Sequence, residues 1–258
     1  MDLAPRLGRP STGVIVTGGA SGLGRASAEA LAAVGRPVSI WDLDADRSRK
    51  VAEEIAGQYG VVATGLAVDV RDPKALLAGV DETRRALPSI GGFVHAAGVC
   101  DTDSLDGLTA EGFTDGLEIH LRPVALIAQA LLRDLASHPG SAIVAFASIN
   151  ATLGNAMNPI YSAAKGGVLS LVRSLADRLA RDGVRINAIS PGNIRTPMMQ
   201  PSLDALGDAA FTRRILLGRI GEPAEVGRAV RFLLSEEASY VTASEFVVDG
   251  GNISSQRM

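Results

Sequence analysis

Near its N-terminal end the chain reads Gly13-Val14-Ile15-Val16-Thr17-Gly18-Gly19-Ala20-Ser21-Gly22-Leu23-Gly24. The first five residues predict a buried strand, and the residues from about Leu23 to Val34 predict a helix, so the glycines fall in the turn between them. Gly18, Gly22 and Gly24 fit the spacing T-G-x-x-x-G-x-G, whereas the common spacing G-x-G-x-x-G does not fit. Such a turn lets the backbone approach a pyrophosphate, which binds the free N–H groups and the positive dipole end of the helix.

After this turn, short apolar strands alternate with longer amphipathic helices. Strands are predicted at 37–42, 61–68, 92–97, 142–147, 184–189 and 245–248, and helices at 45–58, 73–87, 111–136, 159–181 and 223–234. This alternation predicts parallel β-α-β units and therefore an α/β fold with a doubly wound sheet. Because no linker, repeat or low-complexity segment interrupts the pattern, we predict one domain over residues 1–258, with a flexible N-terminus at 1–11.

The composition excludes several classes of protein. The chain has 258 residues, a formal net charge of -3 and no long run of Lys or Arg, which argues against nucleic acid as a partner. Its one cysteine, Cys100, cannot form an internal disulfide and suits a reducing compartment. Since there is neither a signal-like segment nor an apolar run long enough to span a bilayer, we expect a cytoplasmic protein without a membrane partner. We also predict no metal site.

The stretch from Thr196 to Gly221 departs from the rhythm, because it is long and has no predicted strand. It carries several large apolar side chains: Met198, Met199, Leu203, Leu206 and Phe211. A long connection at the ligand end of such a sheet is typical of a substrate lid, so we predict a lid at about 196–221. The alternative is a pair of short surface helices packed on the body.

Asp42 ends the second predicted strand, at about the separation from the glycine turn that is expected of a ribose-binding acid. A carboxylate there accepts hydrogen bonds from the adenosine ribose and repels a 2′-phosphate. Ser21, which precedes Gly22, offers no cation to receive that phosphate. The sequence therefore favours NAD over NADP as cofactor, although Asp42 could instead be a helix cap.

Tyr161 and Lys165 stand one helical turn apart, and Ser148 lies thirteen residues before the tyrosine. A phenol has an unperturbed pKa of about 10. An ammonium on the same helix face could favour the phenolate, and a serine hydroxyl from a neighbouring strand could hold a substrate oxygen beside the phenol. These groups could move a proton to or from a carbinol or carbonyl oxygen. Tyr-x-x-x-Lys alone is weak support, since a helix-starting Tyr with an exposed Lys is common.

Taken together, these motifs resemble the short-chain dehydrogenase/reductase family over nearly the whole chain. The motifs that fall in family order are the Thr17–Gly24 turn, Asp69, the run Ala96-Ala97-Gly98, Ser148, Tyr161, Lys165, Pro191-Gly192 and Val248-Asp249-Gly250-Gly251. The resemblance implies a Rossmann-type fold with a seven-stranded parallel sheet between helices. It also implies a homo-oligomer, either a tetramer or a dimer.

The resemblance further implies a role for each site residue. Tyr161 would be the catalytic acid/base, Ser148 would polarise the substrate oxygen, and Lys165 would lower the tyrosine pKa and hold the nicotinamide ribose. The remaining cofactor-binding positions would be Gly18, Ser21, Gly22, Leu23, Gly24, Asp42, Asp69, Val70, Ala97, Gly98, Pro191, Gly192, Ile194 and Thr196. Asp69 and Val70 would contact adenine, and the Thr196 hydroxyl would lie near the carboxamide.

Two positions depart from the family pattern. His120 stands where an Asn usually anchors a water chain to the catalytic lysine, and His95 stands in a run that is most often Asn-Asn-Ala-Gly. An imidazole can also hold a water, but its charge changes near pH 6.5, and protonation of His120 would then slow proton transfer. The alternative for His120 is a buried structural imidazole, and we interpret His95 as structural.

The sequence thus predicts an NAD-dependent oxidoreductase that interconverts a secondary alcohol, as small-molecule substrate, and its ketone. An enoyl reductase is disfavoured, because relatives of that type space the Tyr and Lys more widely. The alternative from another class is an NAD-binding regulatory or scaffold protein without turnover, which His120 and His95 would favour and the intact Ser148, Tyr161 and Lys165 oppose.

Overall fold

A computed structural model describes residues 4–254. Seven strands form one parallel sheet in the order β3-β2-β1-β4-β5-β6-β7. The chain builds outward from β1 on one side and from β4 on the other, so β1 and β4 are neighbours at the point where the strand order reverses. In such sheets the carboxyl ends of these two strands open a crevice for a ligand.

The described elements follow one another as the sequence predicts, with bounds within a few residues for most of them. The strands are β1 Gly13–Thr17, β2 Val38–Asp42, β3 Ala63–Ala67, β4 Ile90–His95, β5 Ala142–Phe146, β6 Arg185–Pro191 and β7 Glu245–Val248. The α-helices are α1 Gly22–Ala32, α2 Ala45–Tyr59, α3 Pro73–Ala86, α4 Ala110–His120, α5 Arg122–Ala130, α6 Leu132–Ala136, α7 Asn150–Leu153, α8 Pro159–Ala180, α9 Gln200–Leu206, α10 Asp208–Thr212 and α11 Pro223–Leu233. A short 3₁₀ helix covers Glu236–Ala238.

The five central strands are buried on both faces, whereas the edge strands β3 and β7 are partly exposed. Along β1, Val14 and Val16 pack on the face that α1, α2 and α11 cover, whereas Ile15 packs on the opposite face. Residues such as Phe93 and Val168 belong to that second core. The sheet is therefore a rigid support for the loops at its carboxyl edge.

The prediction of one continuous helix at 111–136 is wrong, because the structure divides this segment into the three helices α4, α5 and α6. The first break follows His120 and precedes Pro123. Proline has no N–H to donate to the carbonyl of the residue four positions earlier, which here is Ile119. That carbonyl is used instead by His95 Nε2, at 2.9 Å. The break therefore brings α4 into contact with the end of β4.

At the N-terminal end, residues 1–3 lie outside the described part of the chain. Arg6 and Arg9 are tied to the 3₁₀ helix: the Arg6 amide donates to Glu237 at 2.8 Å, and the Glu236 amide donates to the Arg9 carbonyl at 2.7 Å. These contacts anchor part of the segment predicted to be flexible. Among residues 4–254, no helix has both the length and the apolar character needed to cross a bilayer.

Candidate active site

The glycine turn after β1 is a close-packed backbone corner. Gly18 has a φ of +62°, and a Cβ there would lie 2.8 Å from the Ala97 backbone. A Cβ at Gly24 would lie 2.1 Å from the Gly18 carbonyl oxygen. At the start of α1, Ser21 makes no side-chain capping bond within the described structure, so the first N–H groups of the helix face the cleft. This arrangement fits a pyrophosphate, as the sequence predicts.

Asp42 lies at the end of β2, beside this turn. Its carboxylate accepts from the Ala20 amide at 3.3 Å and from the Asp44 amide at 3.4 Å. The helix cap of α2 is Asp44, which accepts from the Arg47 amide at 3.0 Å. The alternative prediction, that Asp42 caps a helix, is therefore wrong. The Arg47 guanidinium lies 3.4 Å from the Asp42 carboxylate, so a cation stands at this end of the cleft after all.

Asp69 follows β3 and also lines the cleft. Its carboxylate accepts from the Arg71 amide at 2.9 Å and pairs with the Arg71 guanidinium at 2.9 Å. The hydrogen bond from Arg71 is the main cause that lowers the pKa of Asp69. The carboxylate is therefore fixed in place, with Val70 next to it in the wall of the cleft.

His95 ends β4 and links three elements beneath the cleft. Its Nδ1 lies 2.8 Å from the Thr17 Oγ1, and its Nε2 lies 2.9 Å from the Ile119 carbonyl. Thr17 Oγ1 in turn accepts from the Ala97 amide at 3.3 Å. Burial lowers the pKa of His95 to about 3, so the imidazole is neutral. These contacts agree with the structural role inferred for His95.

His120 ends α4 and packs against Tyr161, the residue that the sequence predicts to be the catalytic acid/base. Its ring meets the Tyr161 ring edge-to-face, with centroids 5.3 Å apart and an interplanar angle of 87°. Its Nε2 donates to the Val99 carbonyl at 2.8 Å, which leaves Nδ1 as a buried acceptor with no partner among the described residues. A Cβ at Gly98 would lie 2.5 Å from the imidazole Cε1, so only glycine leaves room for this ring.

The pH dependence expected of His120 is wrong. Burial, and secondarily the charge of Lys165, lower the pKa of His120 to about 2. The imidazole therefore stays neutral through pH 6.5, and protonation of His120 cannot slow a reaction at ordinary working pH. The neutral ring keeps its free Nδ1 available to accept a hydrogen bond.

Tyr161 and Lys165 share one face of α8, as predicted, and the Lys165 Nζ lies 5.5 Å from the centre of the Tyr161 ring. The Nζ donates to the Phe146 carbonyl at 2.6 Å. Burial lowers the pKa of Lys165 to about 7. Burial also raises the pKa of Tyr161 to about 12, against a smaller opposite effect of hydrogen bonding with Ser148. The expected lowering of the tyrosine pKa by Lys165 is thus not found, because desolvation of the phenolate dominates and the group that lowers this pKa is Ser148.

Ser148 follows β5, and its Oγ accepts from the Asn150 amide at 3.1 Å. The end of β6 and the chain after it supply Pro191, Gly192, Ile194 and Thr196. The Pro191 carbonyl accepts from the Ile149 amide at 3.2 Å, which joins the two walls. The structure thus places the serine and the post-β6 segment on adjoining parts of one surface.

Every residue predicted for the site lines a single cleft of about 600 Å³. The set comprises Gly18, Ser21, Gly22, Leu23, Gly24, Asp42, Asp69, Val70, Ala97, Gly98, His120, Ser148, Tyr161, Lys165, Pro191, Gly192, Ile194 and Thr196. These residues come from loops, helices and strand ends that the parallel sheet brings to one edge. No group of three or more His, Cys, Asp or Glu side chains that could hold a metal ion occurs within residues 4–254.

The segment predicted as a lid folds into the two short helices α9 and α10. Met198, Met199, Ser202 and Phe211 line the cleft, whereas Leu203 is buried beneath. The segment therefore combines both interpretations of the sequence, since it is a helix pair packed on the body and also one wall of the cleft. Whether it opens and closes stays a prediction.

Sequence reasoning missed several polar residues of the cleft. Arg47 and Arg71 line it beside Asp42 and Asp69, and Asn150, Asn155 and Asn158 also line it. None of them belongs to a spaced motif. Their only sequence signal is position, because each lies in or beside a segment that follows a strand at the carboxyl edge of the sheet.

The topology defines a doubly wound α/β protein of the kind that binds ligands at its switch point. A sequence model described as enoyl-(acyl carrier protein) reductase matches residues 18–252. The "uncharacterized short-chain type dehydrogenase/reductase y4vI" of Sinorhizobium fredii is 38% identical over 247 residues, covering 94% of this chain but only 44% of that protein. The "probable galactose dehydrogenase GalD" of Rhizobium meliloti is 34% identical over 240 residues, covering 93% of this chain and 94% of that one.

Solved structures agree with these sequence relatives. The L-sorbose reductase of Gluconobacter frateurii, complexed with NADPH and L-sorbose, has a TM-score of 0.88 at 27% identity and covers 95% of this chain and 97% of its own. The chain therefore belongs to the short-chain dehydrogenase/reductase family, which is a family of oxidoreductases.

Proposed function

We propose that this protein is an NAD-dependent oxidoreductase that interconverts a secondary alcohol and its ketone. The observation that carries the proposal is the meeting of Ser148, Tyr161 and Lys165 in the same cleft as the glycine turn. A proton-transfer group and a dinucleotide-type site within one cleft suit hydride chemistry. A protein that only bound a nucleotide would have no use for that trio.

The residues present fit a dinucleotide. A Cβ at Gly18 or Gly24 would fill the space beside the turn, and the start of α1 offers N–H groups to the pyrophosphate. When bound, the nicotinamide supplies or accepts the hydride, and the protein supplies placement and proton transfer. Thr196, Ile194 and Pro191 would flank the nicotinamide end, and Asp42 would hold the adenosine ribose.

Tyr161 would handle the proton. With a pKa of about 12 the phenol is protonated near neutral pH, so it can donate to a developing alkoxide when a ketone is reduced. In the oxidising direction the phenolate is needed, and its fraction grows as pH rises toward that pKa. Ser148 would hold the substrate oxygen, and the buried Lys165 would bind the nicotinamide ribose.

His120 would complete the proton path. Its neutral Nδ1 is a buried acceptor that can hold a water near Lys165, in place of the Asn usual in the family. Its ring also braces Tyr161 through the edge-to-face contact at 5.3 Å. The role proposed here is therefore to position Tyr161 and a water, without a change of charge.

The preference for NAD rests on Asp42. Its carboxylate would accept from the ribose hydroxyls and would repel a 2′-phosphate. The Arg47 guanidinium already pairs with the Asp42 carboxylate at 3.4 Å. Its positive charge is therefore partly neutralised, which weakens its attraction for a 2′-phosphate. The structure of the similar L-sorbose reductase contains NADPH, so the relative affinities for NADH and NADPH test this part of the proposal directly.

The cleft is lined by both polar and apolar side chains near Tyr161. Asn150, Asn155 and Asn158 are among the polar ones, and Met198 and Phe211 are among the apolar ones. The names of two relatives, a galactose dehydrogenase and an L-sorbose reductase, also point to hydroxylated substrates. We propose a small alcohol or ketone that carries further hydroxyl groups, rather than a wholly apolar one.

The test is turnover with a panel of small secondary alcohols. Purified protein is incubated with NAD and matched sets of sugars, polyols and apolar cyclic alcohols, and the absorbance of the reduced cofactor is followed. We expect turnover with at least one hydroxylated substrate. NAD binding without turnover on any alcohol or ketone would favour the regulatory or scaffold alternative. Reduction of an enoyl thioester with no action on ketones would instead favour the reaction that the matched sequence model describes.

A further inference from the structure

The catalytic helix α8 begins with an unusual cap. Its N-cap residue, Asn158, makes no side-chain capping bond to the helix, and Pro159 in the first turn has no N–H. The first free amides are therefore those of Ile160 and Tyr161. In most helices the N-cap side chain itself accepts from such amides. Here the acceptor comes from another part of the chain.

The carboxylate of Asp101, in the loop after β4, accepts hydrogen bonds from both amides. Its Oδ1 lies 2.9 Å from the Tyr161 amide nitrogen, and its Oδ2 lies 3.1 Å from the Ile160 amide nitrogen. A carboxylate also suits the positive dipole end of a 22-residue helix. One side chain therefore fixes the backbone of the residue proposed to transfer the proton.

Two more hydrogen bonds fasten the same loop to the segment before α8. The Asn158 Nδ2 donates to the Asp101 carbonyl, and the Ser104 Oγ donates to the Ala156 carbonyl at 2.9 Å. Ser104 has a φ of 59°, which is uncommon for a non-glycine residue and persists where surrounding contacts enforce it. Hydrogen bonds involving Asp101 and Ser104 thus fasten this loop across the start of α8, and we call residues 99–104 the clasp.

The clasp also reaches the cleft. Val99 and Cys100 precede Asp101 and line the cleft wall, and the Val99 carbonyl accepts from the His120 Nε2 at 2.8 Å. A substrate that contacts Val99 or Cys100 therefore contacts the loop that holds Tyr161. Backbone and ring of Tyr161 are both fixed from this loop, the backbone through Asp101 and the ring through His120.

We propose that Asp101 is a positioning residue, which sets the place of the Tyr161 hydroxyl relative to the substrate by capping the catalytic helix from the β4 loop. The proposal rests on the proposed function, because it assigns Tyr161 the proton transfer. An error of about 1 Å in the placement of a reacting group can cost on the order of a hundredfold in rate.

The test compares Asp101→Ala with Asp101→Glu, Asp101→Asn and the control Asp103→Ala, which removes an exposed carboxylate from the same loop. Rates are expressed per cofactor-binding site, counted by fluorescence titration with NADH. We expect Asp101→Ala to lower kcat roughly tenfold to a hundredfold while the Kd for NADH stays within about twofold. Asp101→Glu should recover part of the rate, because it keeps two acceptor oxygens, and Asp103→Ala should match the wild type.

Asp101→Asn is the informative variant if Asp101→Ala does not fold. Its amide has one acceptor oxygen and presents N–H groups to the second helix amide, so kcat should lie between those of Asp101→Glu and Asp101→Ala. A wild-type kcat per site in Asp101→Asn or Asp101→Ala, together with a lowered Tm, would overturn the proposal and leave an ordinary cap. Turnover that survives Tyr161→Phe would instead remove the proposed function itself.

Discussion

Burial sets the protonation of single residues at the reacting end of the cleft. It raises the pKa of Tyr161 to about 12, and it lowers the pKa values of Lys165 and His120 to about 7 and about 2. All three side chains are thereby shifted toward their neutral forms near neutral pH. The neutral phenol can give its proton to a developing alkoxide, and the negative charge then rests on the phenolate, whose ring centre lies 5.5 Å from the Lys165 Nζ.

We propose that two residues, Asp42 and Arg47, decide the choice of cofactor. We predict that the wild type binds NADH more tightly than NADPH, and that Asp42→Ala raises NADPH affinity because it removes the repulsion and frees Arg47 for the 2′-phosphate. The gain should be roughly tenfold or more, since a hydrogen bond to a charged group contributes about 1.5–3 kcal/mol. Fluorescence titrations of both cofactors provide the measurement.

The double variant Asp42→Ala/Arg47→Ala is the matched control: it should keep only the part of the NADPH gain that comes from removing the repulsion, with the same NADH affinity as Asp42→Ala. A wild type that prefers NADPH would contradict the assignment of NAD. An NADPH gain as large in the double variant as in Asp42→Ala would show that Arg47 is not the group that receives the phosphate.

His120 should make the protein sensitive to acid through stability. In the unfolded chain its pKa is about 6.5, whereas in the folded protein it is about 2. Below pH 6.5 the unfolded state takes up a proton that the folded state excludes, so stability is lost as pH falls. Between pH 6.5 and 5.0 His120 should cost about 2 kcal/mol in the free energy of unfolding.

His120→Asn carries no titrating group at this position, so its unfolding free energy should fall less steeply over the same pH range. Urea unfolding of both proteins at pH 7.5, 6.5 and 5.0 gives the difference, with His95, also buried and neutral, contributing equally to each. Parallel curves for the two proteins would mean that the folded state tolerates a charged imidazole.

Among the structural elements, the turn between β1 and α1 carries the strictest packing. A Cβ at Gly24 would lie 2.1 Å from the Gly18 carbonyl oxygen, which is backbone and cannot move aside alone. We predict that Gly24→Ala weakens NADH binding at least tenfold and lowers the free energy of unfolding by about 1–3 kcal/mol, as overpacking does. Titration with NADH and urea unfolding measure the two effects.

Gly57→Ala is the control with the same chemical change. Gly57 lies within α2 with open space around it, so the added methyl should stabilise the helix by about 0.5–1 kcal/mol and leave NADH binding unchanged. Wild-type NADH affinity in Gly24→Ala would refute the close-approach role of the turn.

The sequence predicts elements where the signal is local and misses features that depend on distant contacts. The glycine turn and the Asp72-Pro73 start of α3 are local, and the structure contains both. The break after His120 depends on an acceptor, the Ile119 carbonyl, that a histidine from β4 uses. Arg47 beside Asp42 and Asp101 at the start of α8 are likewise contacts that no spacing rule encodes.

At the scale of the whole molecule, the sheet explains why the predicted site residues meet. Parallel strands end at one edge, so the loops after β1, β2, β3, β4, β5 and β6 converge there. The alternation of strands and helices is enough to predict this convergence. It is not enough to predict protonation, because burial depends on how closely the helices pack over the cleft.

The β7 edge suggests how copies of the chain assemble. β7 is the last strand of the sheet, and the large apolar side chains Phe246, Leu217 and Tyr240 are exposed on it or in neighbouring segments. We propose a homo-oligomer and predict that light scattering gives the mass of two or four chains. Phe246→Asp should lower that mass, whereas Val62→Asp, beside the opposite edge of the sheet, should not. A wild type with the mass of a single chain at micromolar concentration would exclude this arrangement.

The central claim is that Tyr161 transfers the proton within a cofactor-binding cleft, and Tyr161→Phe tests it most directly. The substitution removes only the hydroxyl, so we predict that kcat falls roughly 10²- to 10⁴-fold while the Kd for NADH stays near the wild-type value. Lys165→Ala, in contrast, should lose both turnover and NADH affinity. A near wild-type kcat in Tyr161→Phe, on any alcohol or ketone that the protein accepts, would contradict the proposed mechanism.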